Sequence, residues 1–322
     1  MKKVLFFNLI FLLVACQQTN NKRIIRLAHG LDTNHSVHKA MVKMGEELHR
    51  ISSGTMQIKI YPNQQLGSER ECLELLQIGS LDITKVSSGV LENFSPNMKV
   101  LGLPYLFRDK AHTFAVLDGA IGKQLLNETL SFRIKGLAYY DAGSRSFYTN
   151  TKPIESPSDL KGLKIRVMES VTAIKMVESM GGSPTPISWG ELYTSLQQEV
   201  VDGAENNPPS FFLSKQFEVC KYYTLDEHTA LPDVLVSGSY FWESLNEKQK
   251  KWLEEAVAIS VVYQRKLWAE SEAYSLRELR KAGVEIFYPD KKEFENMVKP
   301  VYDYYRINKE MDVLINQIKY QL

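Results

Sequence analysis

Between Glu247 and Ala282 the chain contains neither glycine nor proline, and apolar residues recur at Trp252, Leu253, Val257, Val261, Leu267 and Trp268. Asn246 with Gln249 supplies an N-terminal cap and Gly283 a stop. At about 1.5 Å per residue such a helix would be about 50 Å long, more than a small domain can cover. A coiled coil is the ordinary use of so long a helix, but the heptad register is poor and the apolar set is broad. The segment therefore predicts a helix lying across two domains. The length of 322 residues agrees, since domains typically hold about 100–200 residues.

Composition narrows the class further. The chain has 39 Lys+Arg against 38 Asp+Glu, a formal charge of +1. Without residues 1–15, which hold Lys2 and Lys3 and no acid, the charge would be −1. Near-neutrality without a basic block argues against nucleic acid as a partner. Three cysteines are too few for a disulfide scaffold. Cys72, on an amphipathic helix, and Cys220, in a helix-like segment, read as buried thiols without a local base. The expected domain boundary falls between them, so no bond is expected.

The first residues are an address. Lys2-Lys3 is a short basic region, and Val4 to Val14 is apolar apart from Asn8. That run is about half the length needed to cross a bilayer, so 1–15 reads as a signal peptide. It ends in Leu13-Val14-Ala15-Cys16, which resembles a bacterial lipobox with Cys16 as the lipidated residue. The polar stretch that follows makes 16–23 a tether. The expectation is a periplasmic or otherwise extracytoplasmic lipoprotein touching the membrane through its lipid anchor.

The body alternates short β-rich runs with helical spacing. Ile24 to Ala28 is followed by a helix from Ser36 through Leu48, then an alternating strand over Met56 to Tyr61. Ser68-Glu69-Arg70-Glu71 opens a helix in capping-box style, and Leu81 to Val86 is the next strand. This rhythm predicts an α/β domain with a largely parallel sheet, its ligands at the carboxyl ends of the strands. A second unit begins near Leu137. Strands at 137–140 and 145–148 flank the turn Asp141 to Ser144, another strand covers Leu163 to Met168, and helices cover about 171–180 and 189–198.

No HExxH, Walker A, GxGxxG or GxSxG pattern occurs. His35 and His38 could share a helix face near His29, but no Cys or acidic cluster at ligand spacing supports a metal. No cofactor is implied, and catalysis finds no advocate. The unusual residues are cations and amides in apolar strands. Arg166 lies between Ile165 and Val167, and a buried guanidinium needs a partner. Either a carboxylate such as Glu169 or Glu205 forms a structural pair with it, or a ligand carboxylate completes it. Arg145, after a glycine turn, is a second cation, and the more exposed of the two on this reading. Lys85, at a strand end, is a third. Asn206 and Asn207 precede two prolines and offer amides suited to hydroxyls. Trp189 is either core or an apolar floor for a sugar.

In order along the chain, Gln65 to Arg70, Gly79 to Asp82, Leu103 to Arg108, Asp159 to Met168, Trp189 to Gln198 and Val201 to Asn206 resemble the solute-binding proteins of TRAP transporters, the DctP-like family. The resemblance spans about residues 24–315. It implies a two-domain α/β periplasmic-binding-protein fold with the ligand cleft between domains and a long domain-spanning helix. The implied division is 24–144 plus 233–271 for domain I and 145–232 plus 272–322 for domain II. It implies a receptor, not an enzyme, that closes on an organic acid and hands it to small and large membrane subunits. By the same resemblance Arg166 makes the main carboxylate salt bridge. Arg145 and Asn206 are further contacts, with Glu205 and Asn207 beside them, and Trp189 packs on the ligand. Loops around His29, His35, Lys85, Ser87 and Ser88 complete the site.

Ala204 stands where the family usually has Gln, and Ala204 to Pro209 looks like members that bind hexuronates. Lys85 in its Thr-Lys-Val-Ser setting and Glu227-His228-Thr229 lean the same way. The expected ligand is D-glucuronate or D-galacturonate, with sialic acid or a C4-dicarboxylate as the alternative. Two other classes stay open at this point. A periplasmic sugar-acid lyase or isomerase would need Lys85 or His35 as its base, and a sensory receptor would present the same closed shape to a different membrane partner.

Overall fold

The computed structural model describes residues 22–321. The expected signal peptide, Cys16 and the tether through residue 21 lie outside the described residues, and Arg23, expected in the tether, opens the first strand. In chain order the strands are β1 (Arg23–Ala28), β2 (Met56–Tyr61), β3 (Ile83–Ser87), β4 (Ile134–Tyr140), β5 (Arg145–Thr149), β6 (Lys164–Val167), β7 (Ser183–Pro186), β8 (Gly203–Asn206), β9 (Tyr222–Thr229), β10 (Asp233–Gly238) and β11 (Glu285–Phe287). They form two sheets, ordered β2-β1-β3-β10-β4 and β11-β9-β5-β8-β6-β7.

The sequence pattern explains the local choices. In β1 the buried Ile25 and Leu27 alternate with exposed Ile24 and half-buried Arg26. The helix Ser36–Ile51 buries Val37, Ala40, Met41, Met44 and Leu48, an apolar stripe at helical spacing. Ser68 and Glu71 form the expected capping box at the head of the helix Glu69–Gln77. Proline-bearing β7 lies at a sheet edge, where its missing donors cost no ladder bond.

The sheets are mixed rather than largely parallel. β1 pairs in parallel with β2 and β3, and β6 with β7 and β8, as a βαβ rhythm requires. β10 runs antiparallel to β3 and β4, and β5 antiparallel to β8 and β9. The reason lies in the two crossings. The chain leaves the first sheet through β4 into β5 and returns through β9 into β10, each time over a link too short to reverse it. Two through-going strands of opposite sense pair antiparallel in both sheets.

The long helix is present as Glu247–Lys281, with the expected capping box at Asn246 and Gln249. Leu253, Ala256, Val257 and Trp268 join the apolar cluster under the first sheet, and Leu279 joins the one under the second. The helix therefore crosses from one sheet to the other. It also pins the first crossing. Tyr140 Oη lies 2.8 Å from Ser260 Oγ, Asp141 N donates to Gln264 Oε1 at 2.8 Å, and Gln264 Nε2 donates to Asp141 O at 2.7 Å. Gly143, in that crossing, has φ +57°, and a Cβ there would sit 3.0 Å from both Glu272 Oε1 and Trp268 Nε1.

Two details depart from expectation. The helix Lys309–Lys319 packs against the 3-10 helix Pro96–Gly102, and Arg108 donates to the carbonyls of Lys319 and Gln321 at 2.8 and 2.7 Å. The last residues thus bridge to the part of the chain that carries the first sheet. Cys220 lies in the turn between the 3-10 helix Gln216–Glu218 and β9, not in a helix. Cys72 and Cys220 are both buried free thiols, pushed by burial up to about 11 and about 12.

Candidate functional site

The carboxyl ends of β1 and β3 face the ends of β6 and β8 across a cleft that holds two small cavities of about 60 Å³ each. Glu69, Arg145, Trp189 and Asn206 border both. Arg166 and Gln64 border the first; His35, Lys85, Ser87 and Asn207 border the second. A much larger hollow, about 920 Å³, lies against the crossings 140–144 and 227–232 and reaches neither Arg145 nor Arg166.

The wall built on the second sheet carries both arginines, and burial treats them differently. Arg145 is buried, contrary to the exposed position expected for it, because β5 is a central strand of that sheet. Its Nε and Nη2 grip the Glu205 carboxylate, Nη2 also donates to Glu205 O at 2.7 Å, and Nη1 donates to Asn206 Oδ1 at 2.9 Å. Burial opposes its charge, but Glu205 outweighs burial and raises the pKa. Glu205 is held down at about 2, the Arg145 charge overcoming the cost of its own burial.

Arg166 is equally buried and has no carboxylate partner among the described residues. Its Nε donates to Ile187 O at 2.8 Å, which leaves the two amino groups for the cavity. Neither Glu169 nor Glu205 forms the structural pair that the sequence left open: Glu205 belongs to Arg145, and Glu169 only borders the cavity. Desolvation outweighs the nearby Tyr148 and Glu205 and lowers the pKa of Arg166, as burial does to a charge without a paired carboxylate. Asn206 accepts from Arg145 and from Asn207 N through Oδ1, so its amide donors remain unclaimed. Asn207 Oδ1 caps the helix Pro208–Leu213 by accepting from Ser210 N at 2.8 Å. Trp189 opens the helix Trp189–Gln197, packs on the edges of two core clusters and borders both cavities.

The wall built on the first sheet neutralises its own cation. Lys85 Nζ lies 2.8 Å from Glu69 Oε1 and 3.1 Å from Asp233 Oδ1. Burial opposes the charge, but Asp233 and Glu69 together raise the Lys85 pKa. Two carboxylates face one ammonium, a formal excess of one negative charge on this wall, and burial raises the pKa of Asp233 against the pull of Lys85 and Arg145. Ser87 Oγ accepts from Gly89 N, at the start of the short helix Ser88–Leu91, and reaches Met168 Sδ at 3.4 Å across the cleft.

The histidines here are neutral. Burial first, and then the Lys85 charge, lower His29 to about 2 and His35 to about 3. His35 Nδ1 accepts from Val37 N at 3.2 Å, which places its proton on Nε2, a buried atom without a protein partner at the edge of the cavity. His29 and Ser88 are not brought to the cavities. His29 lies one shell back, accepting from Leu31 N and bonded to His38 at 2.9 Å, and Ser88 is buried beneath with its Oγ unpartnered. Glu69, Asp233 and Gln64 were missed by the sequence reading. Glu69 stands inside a capping box, which accounts for it as helix chemistry; Asp233 reaches the site only through the antiparallel register that sets it opposite Ser87.

Neither candidate base for turnover is suited to that work. Lys85 is locked between two carboxylates, and His35 is held far too low to take a proton near neutrality. Among the described residues no group of His, Cys, Asp and Glu is arranged to hold a metal, and no helix is long and apolar enough to cross a membrane.

The family model of DctP, the bacterial extracellular solute-binding protein family 7, matches residues 27–308. A TRAP periplasmic solute-binding protein of Xanthobacter autotrophicus, solved with bound β-D-galacturonate, is 39% identical with a TM-score of 0.90, covering 92% of this chain and 100% of its own. Another from Anaerococcus prevotii, with bound D-glucuronate, is 35% identical with a TM-score of 0.90, covering 92% and 97%. The C4-dicarboxylate-binding periplasmic protein DctP of Rhodobacter capsulatus is 31% identical over 288 residues, 87% of this chain and 85% of that one.

Proposed function

This chain belongs to the bacterial extracellular solute-binding proteins of family 7, and from that premise we propose that it is the receptor of a TRAP transporter for a hexuronate, D-galacturonate or D-glucuronate. It works outside the cytoplasm as a binding protein rather than an enzyme. The observation that carries the ligand reading is the charge left over on each wall. Arg166 is the buried cation without a carboxylate, so one ligand carboxylate completes it. The Lys85, Glu69 and Asp233 group opposite is net negative, so a second carboxylate at the far end of the ligand would be repelled. Carboxylate oxygens, amide donors and the neutral His35 suit hydroxyls instead. A polyhydroxy monocarboxylate fits both walls, and a C4-dicarboxylate fits only one.

On this reading the bodies that close are 24–144 plus 233–271, with the helix Lys309–Lys319 docked on it, and 145–232 plus 272–308, hinged at the crossings 141–144 and 230–232. Arg166, Arg145, Asn206 and Trp189 meet the carboxylate end, while Glu69, Lys85, Ser87 and His35 meet the hydroxyl end. Closure presents the loaded receptor to the small and large membrane subunits. The lipobox-like run before Cys16 supports a lipid anchor, and the intact mass of the exported protein, with or without a diacylglyceryl group, tests it.

The ligand is tested by thermal melting of the protein against D-galacturonate, D-glucuronate, N-acetylneuraminate, succinate and D-galactose. A ligand selective for the native state adds about 2.7 kcal/mol at a hundred times its Kd. We expect the two hexuronates to raise Tm and galactose and succinate to leave it unmoved. A rise with succinate and none with either hexuronate would overturn the ligand reading.

A further inference from the structure

Behind Arg145 lies a residue that borders neither small cavity: we propose that His228, as an imidazolium, positions Glu205 and through it Arg145, so that affinity for a sugar acid depends on the proton His228 carries. This rests on the carboxylate-site reading above.

His228 is fully buried, one residue before the end of β9 where the chain leaves the second sheet. Its Nδ1 lies 2.8 Å from Asp226 Oδ2 and its Nε2 3.4 Å from Glu205 Oε2. A neutral imidazole has one donor and one acceptor, so it would turn a lone pair toward one of these carboxylates. The imidazolium donates to both. Burial alone would strip the proton, but Asp226 and Glu205 outweigh it and raise His228 to about 9.

His228 also lines the large hollow, which brings Glu227, Glu272, Glu295, Asp141, Lys110 and Lys291 to the same space, but among the described residues only Asp226 and Glu205 bond to the ring. Phe147 of β5 packs on the ring at 4.5 Å between centroids. From the 104–108 loop, Tyr105 Oη reaches Asp226 Oδ2 at 3.4 Å, and Tyr105 N donates to His228 O at 2.7 Å. Phe147 N donates to Asp226 Oδ1 at 3.2 Å. Glu227 points away to pair with Lys291. Arg145, Glu205, His228 and Asp226 therefore alternate in sign and cancel. Glu205 Oε2 is shared between Arg145 Nε and His228 Nε2, so the imidazolium fixes the rotamer that holds the guanidinium at the cavity. Without that proton the network carries a net negative charge directly behind the place where an anion must bind.

The experiment is calorimetric titration with D-galacturonate and D-glucuronate from pH 7 to pH 10, on the wild type, His228→Gln and the double variant His228→Gln/Asp226→Asn. The imidazole ¹⁵N shifts of the ligand-free protein are followed alongside. We expect wild-type affinity to fall roughly tenfold as the pH passes 9, and His228→Gln to bind roughly tenfold more weakly at pH 7 with a flat profile. The double variant removes one charge of each sign and should recover part of the loss. A merely structural role would lower Tm without flattening the pH profile. A wild-type affinity constant from pH 7 to 10, or an imidazole neutral at pH 7, overturns the proposal. If His228→Gln does not fold, those two wild-type measurements decide. If neither hexuronate binds, the ligand reading has failed, and the ¹⁵N titration still decides whether His228 holds its proton.

Discussion

The two walls of the cleft are both built at strand ends, yet they handle charge in opposite ways. On the second-sheet wall the Arg145–Glu205 and His228–Asp226 groups cancel, and Arg166 is left over as a buried positive charge. On the first-sheet wall one lysine faces two carboxylates, and the nearby histidines are neutral. On the proposed reading, a ligand with a single carboxylate lies with that end toward Arg166. The difference teaches that the number of charged residues bordering a cavity does not give its charge; what counts is which of them are already cancelled within the protein.

The largest effect should come from separating the two arginines of the second wall. Arg166→Met should weaken hexuronate binding by about 3–5 kcal/mol, roughly a hundredfold to several thousandfold. Ligand-free stability should hold or rise, because a buried cation with no partner works against the fold. Arg145→Met should do the reverse to the free protein. It strands the buried Glu205 carboxylate, and losing one partner of a buried pair typically costs about 3–5 kcal/mol. Urea unfolding of both ligand-free variants checks this. Equal destabilisation by the two would mean that Arg166 has a structural role after all.

The sequence made Arg166 conspicuous because a guanidinium between Ile165 and Val167 conflicts with its surroundings, and it made the long helix legible because no breaker interrupts it. Partnership was another matter. Glu205 was a possible mate for Arg166 on proximity of type alone; the register that sets Phe147 opposite Glu205 hands it to Arg145 instead. That register is a long-range property with no local signal. The same holds for Asp233, which lies 3.1 Å from Lys85 only because β10 returns antiparallel beside β3. His228 stood out within Glu227-His228-Thr229, but Asp226 and its pairing with that ring were hidden by a bulge: Glu227 sits at φ +51°, and the pairing of β5 with β9 shifts there. Binary pattern and capping reach as far as single elements. The cancellation of charges is written in how the elements meet.

Acid should distinguish the walls next. His29 and His35 have folded pKa values of about 2 and about 3, below the 6.5 of a free imidazole. Their contribution to stability is therefore present above about pH 6.5 and lost as the pH falls toward those values, by about 1.4 kcal/mol per unit for each group. Glu205, depressed from 4.5 to about 2, contributes fully above its unfolded value and begins to fail only below it. Between pH 6.5 and 4.5 the first wall should weaken while the Arg145–Glu205 pair holds. Asp233 and Glu92, raised by burial, act in the opposite sense, so the histidine variants isolate the effect better than the overall slope does. Thermal melts of His29→Gln and His35→Gln should each show a shallower decline over that range. An unchanged slope in both would place the acid sensitivity elsewhere.

The smallest effect concerns a side chain that reaches from one wall to the other. Gln64 borders the cavity beside Arg166, and its buried Nε2 has no protein partner. Its head lies against Gly190, where a Cβ would stand 2.1 Å from Gln64 Oε1. If that amide serves a ligand hydroxyl, Gln64→Ala should cost about 1 kcal/mol of binding, roughly fivefold, with no loss of ligand-free stability. Gly190→Ala should then reproduce it, because the added methyl displaces the flexible end of Gln64 while φ at 190 needs no glycine. Neither change touches Arg166, so the preference for acids over neutral sugars should survive both. Matching losses in hexuronate affinity from the two variants would assign the glycine to making room for the amide. A much larger loss from Gly190→Ala would mean that the start of the Trp189 helix, and with it the indole floor, is what the close approach protects.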